Sequence, residues 1–208
     1  MAVIVVGGHS RSVGKTSVVA GLIARLPGMR WTALKITQYG HGFCTADGAP
    51  CDCATDDHTL AFSEERDPSS GTDTARFLAA GAVRSVWVRT RQGMLAEAMP
   101  RIRKELAAAE NAILESNSVM QFLQPNLYLT VLDAGTADFK DSARLFLDRA
   151  DAVLVRATDL EPRWVGVSAK LIEGKPRFVI GSPEYVTDEL VEFVRARIAQ
   201  RSVQNGVF

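Results

Sequence analysis

The stretch that decides the fold is Gly7-Gly8-His9-Ser10-Arg11-Ser12-Val13-Gly14-Lys15-Thr16-Ser17. It follows a short apolar run, Val3–Val6, of the kind that forms a central parallel strand covered on both faces. It leads into a helical pattern from Lys15 to Leu26, which Pro27-Gly28 ends. A glycine-rich turn between a buried strand and a helix leaves the first amides of the helix facing outward, where they bind anions. The stretch therefore predicts a phosphate-binding loop.

The end of this loop also carries the side chains that a nucleotide site needs. Lys15 is expected to reach the outer phosphates of a nucleoside triphosphate, and the Thr16 hydroxyl to ligate Mg²⁺. The rest of the predicted phosphate cradle comprises Gly8, His9, Ser12, Val13, Gly14 and Ser17. The spacing departs from the usual P-loop, because His9 occupies the position of the first glycine and Gly8 lies one residue early. His9 could bind phosphate or shape the turn.

The rest of the chain predicts an α/β protein. A second strand follows at Trp31–Ile36, and four later apolar runs lead to Glu115, Asp133, Asp159 and Gly181. Polar or glycine residues in these positions are typical of parallel sheets, which bind ligands beyond the carboxyl ends of their strands. We predict a three-layer P-loop NTPase fold with a mostly parallel central sheet. It forms one domain over residues 1–200, with an insertion loop at 40–72 and a loose tail at 201–208.

The composition of the chain argues against nucleic-acid-binding and membrane-spanning functions. The chain has 208 residues, 47% of them hydrophobic and 23% charged, close to a globular average. Lys plus Arg and Asp plus Glu each number 24, so there is no basic excess of the kind that nucleic-acid binding favours. No apolar run approaches the ~20 residues of a membrane span, and the N-terminus lacks signal-peptide features. We expect a cytoplasmic protein that binds neither nucleic acid nor membrane.

Two families of P-loop proteins resemble this chain over roughly residues 1–120. The loop with Val13 before Gly14, together with a second strand ending in Lys35, resembles dethiobiotin synthetases. The segment Gly71-Thr72-Asp73-Thr74-Ala75-Arg76, followed by Ala80-Gly81-Ala82 and an apolar run, resembles the molybdopterin-guanine dinucleotide biosynthesis B protein, a family in which a lysine-ended second strand precedes that segment. Members of that family help attach GMP to molybdopterin. Both resemblances imply a homodimer.

Acidic and basic residues at strand ends and at one predicted helix start complete the candidate site. Glu115 matches the glutamate that both families carry at a strand end, which implies a Mg²⁺ ligand; Asp133 is the competing acid. The resemblance implies a second Mg²⁺ or a nucleophile-positioning role for Asp73 and a phosphate contact for Arg76, although a helix cap and a surface charge also fit them. A buried lysine must find an anion or lose its charge, so Lys35 is expected to contact phosphate or substrate.

Two further features leave alternatives open. Asp159 is a candidate base-reading residue, but its surroundings, Arg156-Ala157-Thr158, lack the rest of a guanine-reading motif, so ATP and GTP both remain. Cys44, Cys51, Cys53 and His58 offer a ligand set for Zn²⁺ or an iron–sulfur cluster, yet their spacing matches no familiar pattern. Thiol redox chemistry, substrate handling and an inert loop are the other interpretations of these cysteines.

These observations converge on a Mg²⁺-dependent protein that binds a nucleoside triphosphate. The resemblance favours a slow NTPase that acts as an accessory factor in molybdenum-cofactor-like biosynthesis, with a cofactor-biosynthesis protein as partner. Two alternatives stay open. One is an ATP-dependent ligase similar to dethiobiotin synthetase, in which Lys35 contacts the substrate. The other is a nucleotide-gated metallochaperone or switch that uses the cysteine loop.

Overall fold

The computed structural model describes residues 1–39, 60–156 and 164–204. Eight strands are found there: β1 (Val3–Gly8), β2 (Trp31–Tyr39), β3 (Leu60–Glu64), β4 (Arg84–Arg91), β5 (Asn111–Glu115), β6 (Leu127–Leu132), β7 (Ala152–Arg156) and β8 (Arg177–Ile180). The α-helices in the same ranges are α1 (Lys15–Arg25), α2 (Asp73–Ala79), α3 (Leu95–Ala108), α4 (Asp141–Leu145) and α5 (Asp188–Gln204). Short 3₁₀ turns at Pro27–Met29, Ser118–Gln121, Leu147–Arg149 and Ala169–Leu171 connect some of them.

The strands form one sheet in the order β3-β4-β2-β5-β1-β6-β7-β8. Every neighbouring pair is parallel except β3 and β4, which are antiparallel. The phosphate loop leaves the carboxyl end of β1, between β5 and β6. Glu115, which ends β5, is therefore placed beside that loop.

Hydrophobic residues on both faces of the sheet make up the core. One face packs against α1, α2 and α5, with Val18, Leu22, Phe77 and Leu190 among its buried residues. The other packs against α3, through residues such as Met99 and Ile102, and a smaller cluster under α4 continues it. Burial on both faces explains why the central strands are almost wholly apolar. The predicted three-layer α/β fold with a mostly parallel sheet is confirmed.

The structure differs from the sequence-based expectation at the edges of the domain. Residues 60–64, inside the segment predicted as a loop, form the antiparallel edge strand β3. The second strand continues to Tyr39 rather than ending at Ile36, and β3 and β2 both pair with β4. The last helix continues to Gln204, so the first residues of the predicted tail are helical.

Some sequence predictions lie outside the described residues. Cys44, Cys51, Cys53, His58 and Asp159 all do, and the predictions made for them remain predictions. Among the helices of the described ranges, none has the length and apolar character needed to cross a membrane.

Candidate functional site

The loop between β1 and α1 has a backbone that its sequence explains. Gly14 is the N-cap of α1 with φ 110° and ψ 7°, a left-handed conformation that L side chains rarely adopt. A Cβ at Gly14 would also lie 2.8 Å from Cε1 of Tyr185, which comes from the loop between β8 and α5. The Val13 side chain is buried, and its Cγ1 would lie 2.7 Å from a Cβ at Gly8. Gly8, which lies one residue early for a P-loop, thus leaves room for the Val13 side chain.

Lys15, the first residue of α1, turns back into its own loop. Its Nζ donates a hydrogen bond of 2.7 Å to the Ser10 carbonyl oxygen, and its side chain is partly buried. The pKa of Lys15 is lowered to about 8, mainly by burial; Glu115 opposes this shift, and the nearby Lys140 and Lys35 contribute to it. The loop therefore holds a desolvated ammonium group, for which a polyphosphate is a strong competing partner.

Glu115 is the centre of a polar network next to the loop. The Thr16 hydroxyl donates a hydrogen bond of 2.8 Å to Glu115 Oε2, although 99 residues separate the two in sequence. Lys35 Nζ lies 3.4 Å from Glu115 Oε1 and forms a second ion pair with Asp73. The Glu115 side chain is 7% exposed and that of Lys35 18%, so these charges are largely withdrawn from water.

The start of α2 brings two further predicted residues to the same place. Thr72 is the N-cap of this helix, because its hydroxyl accepts a 3.0 Å hydrogen bond from the Ala75 amide. Asp73 is therefore not needed as a cap, and its carboxylate pairs with Lys35 instead. Arg76 Nη2 donates to the Ser17 hydroxyl at 3.0 Å, and Nη1 lies 3.8 Å from Asp73. Arg76 thus contacts the first turn of α1.

Asp133, the competing acid, is engaged elsewhere. Its carboxylate accepts hydrogen bonds from the Gly135 amide at 2.8 Å and from Arg156 Nη1 at 3.3 Å. Its backbone carbonyl accepts a 2.9 Å hydrogen bond from Trp164 Nε1. These contacts give Asp133 a role in shaping the turn after β6. Between the two candidate acids, the geometry favours Glu115 as the metal ligand.

The His9 ring packs against two aromatic side chains, Phe139 and Trp164, while its assignment to the nucleotide site stays a prediction. The residue is fully buried, and its ring packs against Phe139 and Trp164 at centroid distances of 5.2 and 5.9 Å. Its ring nitrogens lie 3.5 Å from the Val131 carbonyl and 3.3 Å from the Thr136 carbonyl. Burial lowers the pKa of His9, which favours the neutral ring. Of the two roles left open, these contacts favour shaping the turn, and contact with phosphate stays a prediction.

Asn117 is a structural residue of the site that sequence reasoning missed. Its side-chain amide accepts from the Gly8 amide at 2.8 Å and donates to the Gly8 carbonyl at 2.9 Å, and the residue is 9% exposed. This pair of bonds fixes the phosphate loop to the segment that follows Glu115. The available signal was the polar run Ser116-Asn117-Ser118, which directly follows the strand end at Glu115.

The donor set beside the loop suits a hard divalent cation. Thr16, Glu115 and Asp73 supply one hydroxyl and two carboxylates, the oxygen ligands that Mg²⁺ prefers alongside phosphate oxygens. Within residues 1–39, 60–156 and 164–204, no three His, Cys, Asp or Glu side chains are grouped to hold a metal without such help. A cation at this site would thus depend on a nucleotide for part of its coordination.

The first of two comparisons with solved structures agrees with the fold. HypB from Helicobacter pylori, solved in complex with nickel, matches 97% of this chain and 87% of its own, with 14% identity and a TM-score of 0.50. LpxK from Aquifex aeolicus, an "apo" form in complex with ATP, matches 86% of this chain and 53% of its own, with 18% identity and a TM-score of 0.47. In sequence, neither a family model nor a curated protein matches the chain. The chain has the P-loop NTPase fold.

Proposed function

We propose that this protein binds a Mg²⁺-nucleoside triphosphate at the β1–α1 loop and hydrolyses it slowly, as an accessory factor in molybdenum-cofactor-like biosynthesis. One observation carries the nucleotide assignment: the Thr16 hydroxyl and the Glu115 carboxylate meet at 2.8 Å beside a loop that holds a buried lysine. A metal-binding hydroxyl, a strand-end carboxylate and a phosphate-binding ammonium are the groups that triphosphate chemistry needs in one place.

Each group has a distinct part in that function. On nucleotide binding, Lys15 exchanges the Ser10 carbonyl for the outer phosphates, and the amides from Ser12 to Ser17 bind the phosphate oxygens. Thr16 and Glu115 would hold Mg²⁺, which when bound neutralises charge on the phosphates. Lys35 forms an ion pair with Asp73 and another with Glu115, and so holds both carboxylates in place. Positioning and charge neutralisation are the main contributions that phosphoryl transfer asks of a protein.

The proposed accessory role in cofactor biosynthesis rests on the positions of the two segments that resemble the molybdopterin-guanine dinucleotide family. The lysine-ended second strand and the segment that begins at Gly71 are separated by more than thirty residues of sequence. In the structure they meet, because Lys35 pairs with both Asp73 and Glu115. That convergence supports treating the two segments as parts of one site, as the family resemblance implies. A homodimer and a cofactor-biosynthesis protein as partner belong to the same proposal.

The other two functions predict different ligands. A ligase similar to dethiobiotin synthetase would use ATP and would need Lys35 to exchange its carboxylate partners for substrate. A nucleotide-gated metal carrier would bind metal through the cysteine segment. HypB, which shares the fold, was solved with nickel, and this makes metal loading a useful measurement for the present chain. GTP preference supports the molybdenum role, and ATP preference supports the ligase.

Calorimetric titration and thermal unfolding with Mg²⁺ and non-hydrolysable ATP or GTP test the nucleotide assignment. A ligand present at about 100 times its Kd should stabilise the native state by about 2.7 kcal/mol. Lys15→Ala should abolish this stabilisation, whereas Lys104→Ala, on the exposed face of α3, should leave it unchanged. Equal stabilisation of the Lys15→Ala variant, or no stabilisation of the natural protein by either nucleotide, would overturn the assignment.

Metal analysis of anaerobically purified protein, with and without nucleotide, tests the metal-carrier alternative. Bound nickel, zinc or iron that is lost when Cys51 and Cys53 are replaced by serine would favour that alternative over the accessory role. Protein that binds triphosphate but carries no transition metal would exclude it.

A further inference from the structure

The loop that follows β6, residues 133–140, is attached to the phosphate loop at His9. The His9 amide donates a 3.1 Å hydrogen bond to the Val131 carbonyl at the end of β6. The His9 carbonyl accepts a 2.8 Å hydrogen bond from the Lys140 amide, at the other end of this β6–α4 loop. The end of β6 and the last residue of the loop that follows it are thereby both held at His9.

The His9 side chain strengthens this attachment. Its ring lies against Phe139, which directly precedes Lys140 and is 6% exposed. Trp164 closes the cluster by contacting both rings, at centroid distances of 5.9 Å from His9 and 5.7 Å from Phe139. Aromatic packing of this kind leaves the backbone at position 140 little freedom relative to the phosphate loop.

The Lys140 side chain lies among the charges of the candidate site. Its pKa is lowered, first by burial and then by the positive charge of Arg11, with Lys35 contributing in the same direction and Glu115 opposing. Lys140 in turn helps to lower the pKa of Lys15. The ammonium of Lys140 is therefore near both the lysine of the phosphate loop and the acid that pairs with Thr16. It is only partly exposed.

Gathering like charges at one place destabilises the protein unless an anion joins them. Arg11, Lys15, Lys35 and Lys140 interact here with Asp138, Glu115 and Asp73 as the opposing acids. Lys35 is neutralised by Glu115 and Asp73. Lys15 has the neutral Ser10 carbonyl as its hydrogen-bond acceptor. Four positive groups against three carboxylates leave the cluster with a surplus of one positive charge.

We propose that Lys140 is a second phosphate-binding lysine, which contacts the terminal phosphate of a bound nucleoside triphosphate from the β6–α4 loop. The proposal rests on the function proposed above and adds to it a residue that discriminates triphosphate from diphosphate. The terminal phosphate is the one selected because the Lys140 backbone is bonded to the phosphate loop at His9 and its ammonium interacts with Glu115 and Lys35. Glu115 is the residue that would hold the metal beside the outermost phosphate, while the loop amides would bind the inner phosphates.

Titration calorimetry with a β,γ-imido triphosphate and with the matching diphosphate, each with Mg²⁺, tests this assignment. Lys140→Ala should weaken triphosphate binding about 10- to 100-fold, as expected for loss of one charge-assisted contact, and change diphosphate binding by less than about twofold. Lys140→Arg should recover most of the triphosphate affinity. Lys15→Ala should weaken binding of both ligands, and Lys104→Ala of neither.

The outcomes separate this proposal from the one on which it rests. Equal weakening of triphosphate and diphosphate by Lys140→Ala would make Lys140 a structural residue, and unchanged binding of both would remove it from the site; either result overturns the inference while nucleotide binding stands. A natural protein that binds neither ligand would overturn both proposals. Thermal unfolding of Lys140→Ala without nucleotide, expected within about 2 °C of the natural protein, checks that the variant is folded.

Discussion

Replacing Lys15 with methionine should stabilise the protein in the absence of nucleotide while it removes nucleotide binding. Methionine keeps the apolar stem of the lysine side chain but carries no charge that burial could penalise. Burial of Lys15 is the main reason that its pKa falls from 10.5 to about 8. At about 1.4 kcal/mol for each tenfold change in proton affinity, keeping the ammonium charged at pH 7 costs the folded state about 3 kcal/mol.

One loss opposes this gain. The hydrogen bond of 2.7 Å from Lys15 to the Ser10 carbonyl disappears in the variant, at a cost of about 1 kcal/mol. The expected net increase in the free energy of unfolding is therefore about 2 kcal/mol at pH 7. For a chain of this size that corresponds to a rise in Tm of roughly 4 to 8 °C.

Urea unfolding of Lys15→Met and the natural protein at several pH values is the decisive assay. Because the pKa of Lys15 is lower in the folded state, the unfolded state binds more protons between pH 8 and pH 10.5. Lys15 therefore makes the natural protein more stable as pH rises through that range, and the advantage of the variant shrinks. Lys104→Met, at an exposed position on α3, is the matched control.

A variant that is less stable than the natural protein at pH 7, or one whose difference from it does not change between pH 7 and pH 10, would refute this reasoning. The first result would mean that the Ser10 contact outweighs the desolvation of the charge. The second would mean that Lys15 keeps an ordinary pKa in the loop.

Three further predictions concern the same site. Triphosphate affinity should be nearly constant from pH 7 to pH 8 and then fall up to about tenfold per pH unit, because Lys15 must be charged to bind phosphate. Calorimetry that shows no fall by pH 9.5 would contradict this. Glu115→Gln should weaken the Mg²⁺ dependence of triphosphate binding at least about tenfold and leave binding in EDTA unchanged, and an unaltered Mg²⁺ titration would exclude Glu115 as a ligand. Asn117→Asp should lower the free energy of unfolding by about 2 kcal/mol, because a carboxylate oxygen would replace the amide donor that lies 2.9 Å from the Gly8 carbonyl. A free energy of unfolding, measured in urea, within about 0.5 kcal/mol of that of the natural protein would count against that bond.

The sequence allowed the fold and the centre of the site to be predicted because the relevant signals are local. An apolar run before Gly7, a helix pattern after Gly14 and polar residues at later strand ends are each visible within a few residues. Parallel strands then bring their carboxyl ends to one edge of the sheet, which is why Thr16, Lys35 and Glu115 meet. The P-loop NTPase fold is confirmed, whereas the chemical roles assigned to these residues remain predictions.

What the sequence did not reveal depends on contacts across long stretches of chain. Asn117 bonds Gly8 over 109 residues, and the His9 ring contacts Thr136 over 127 residues. No local pattern distinguishes a histidine that faces phosphate from one that packs under the loop. Lys140 follows an irregular segment that carries no motif, so its approach to Lys15 and Glu115 depends wholly on tertiary structure.

Because two hydrogen bonds join Asn117 to Gly8, the phosphate loop does not hold its conformation independently of the rest of the protein. Besides its own glycines, its first half depends on the Asn117 side-chain amide, which comes from the connection after β5. A transplant of residues 7–17 into another α/β scaffold should lose the conformation unless the host also receives 115–117. The same bonds fix the segment that carries Glu115 relative to the β1–α1 loop, so the distance between the two is set in the absence of nucleotide.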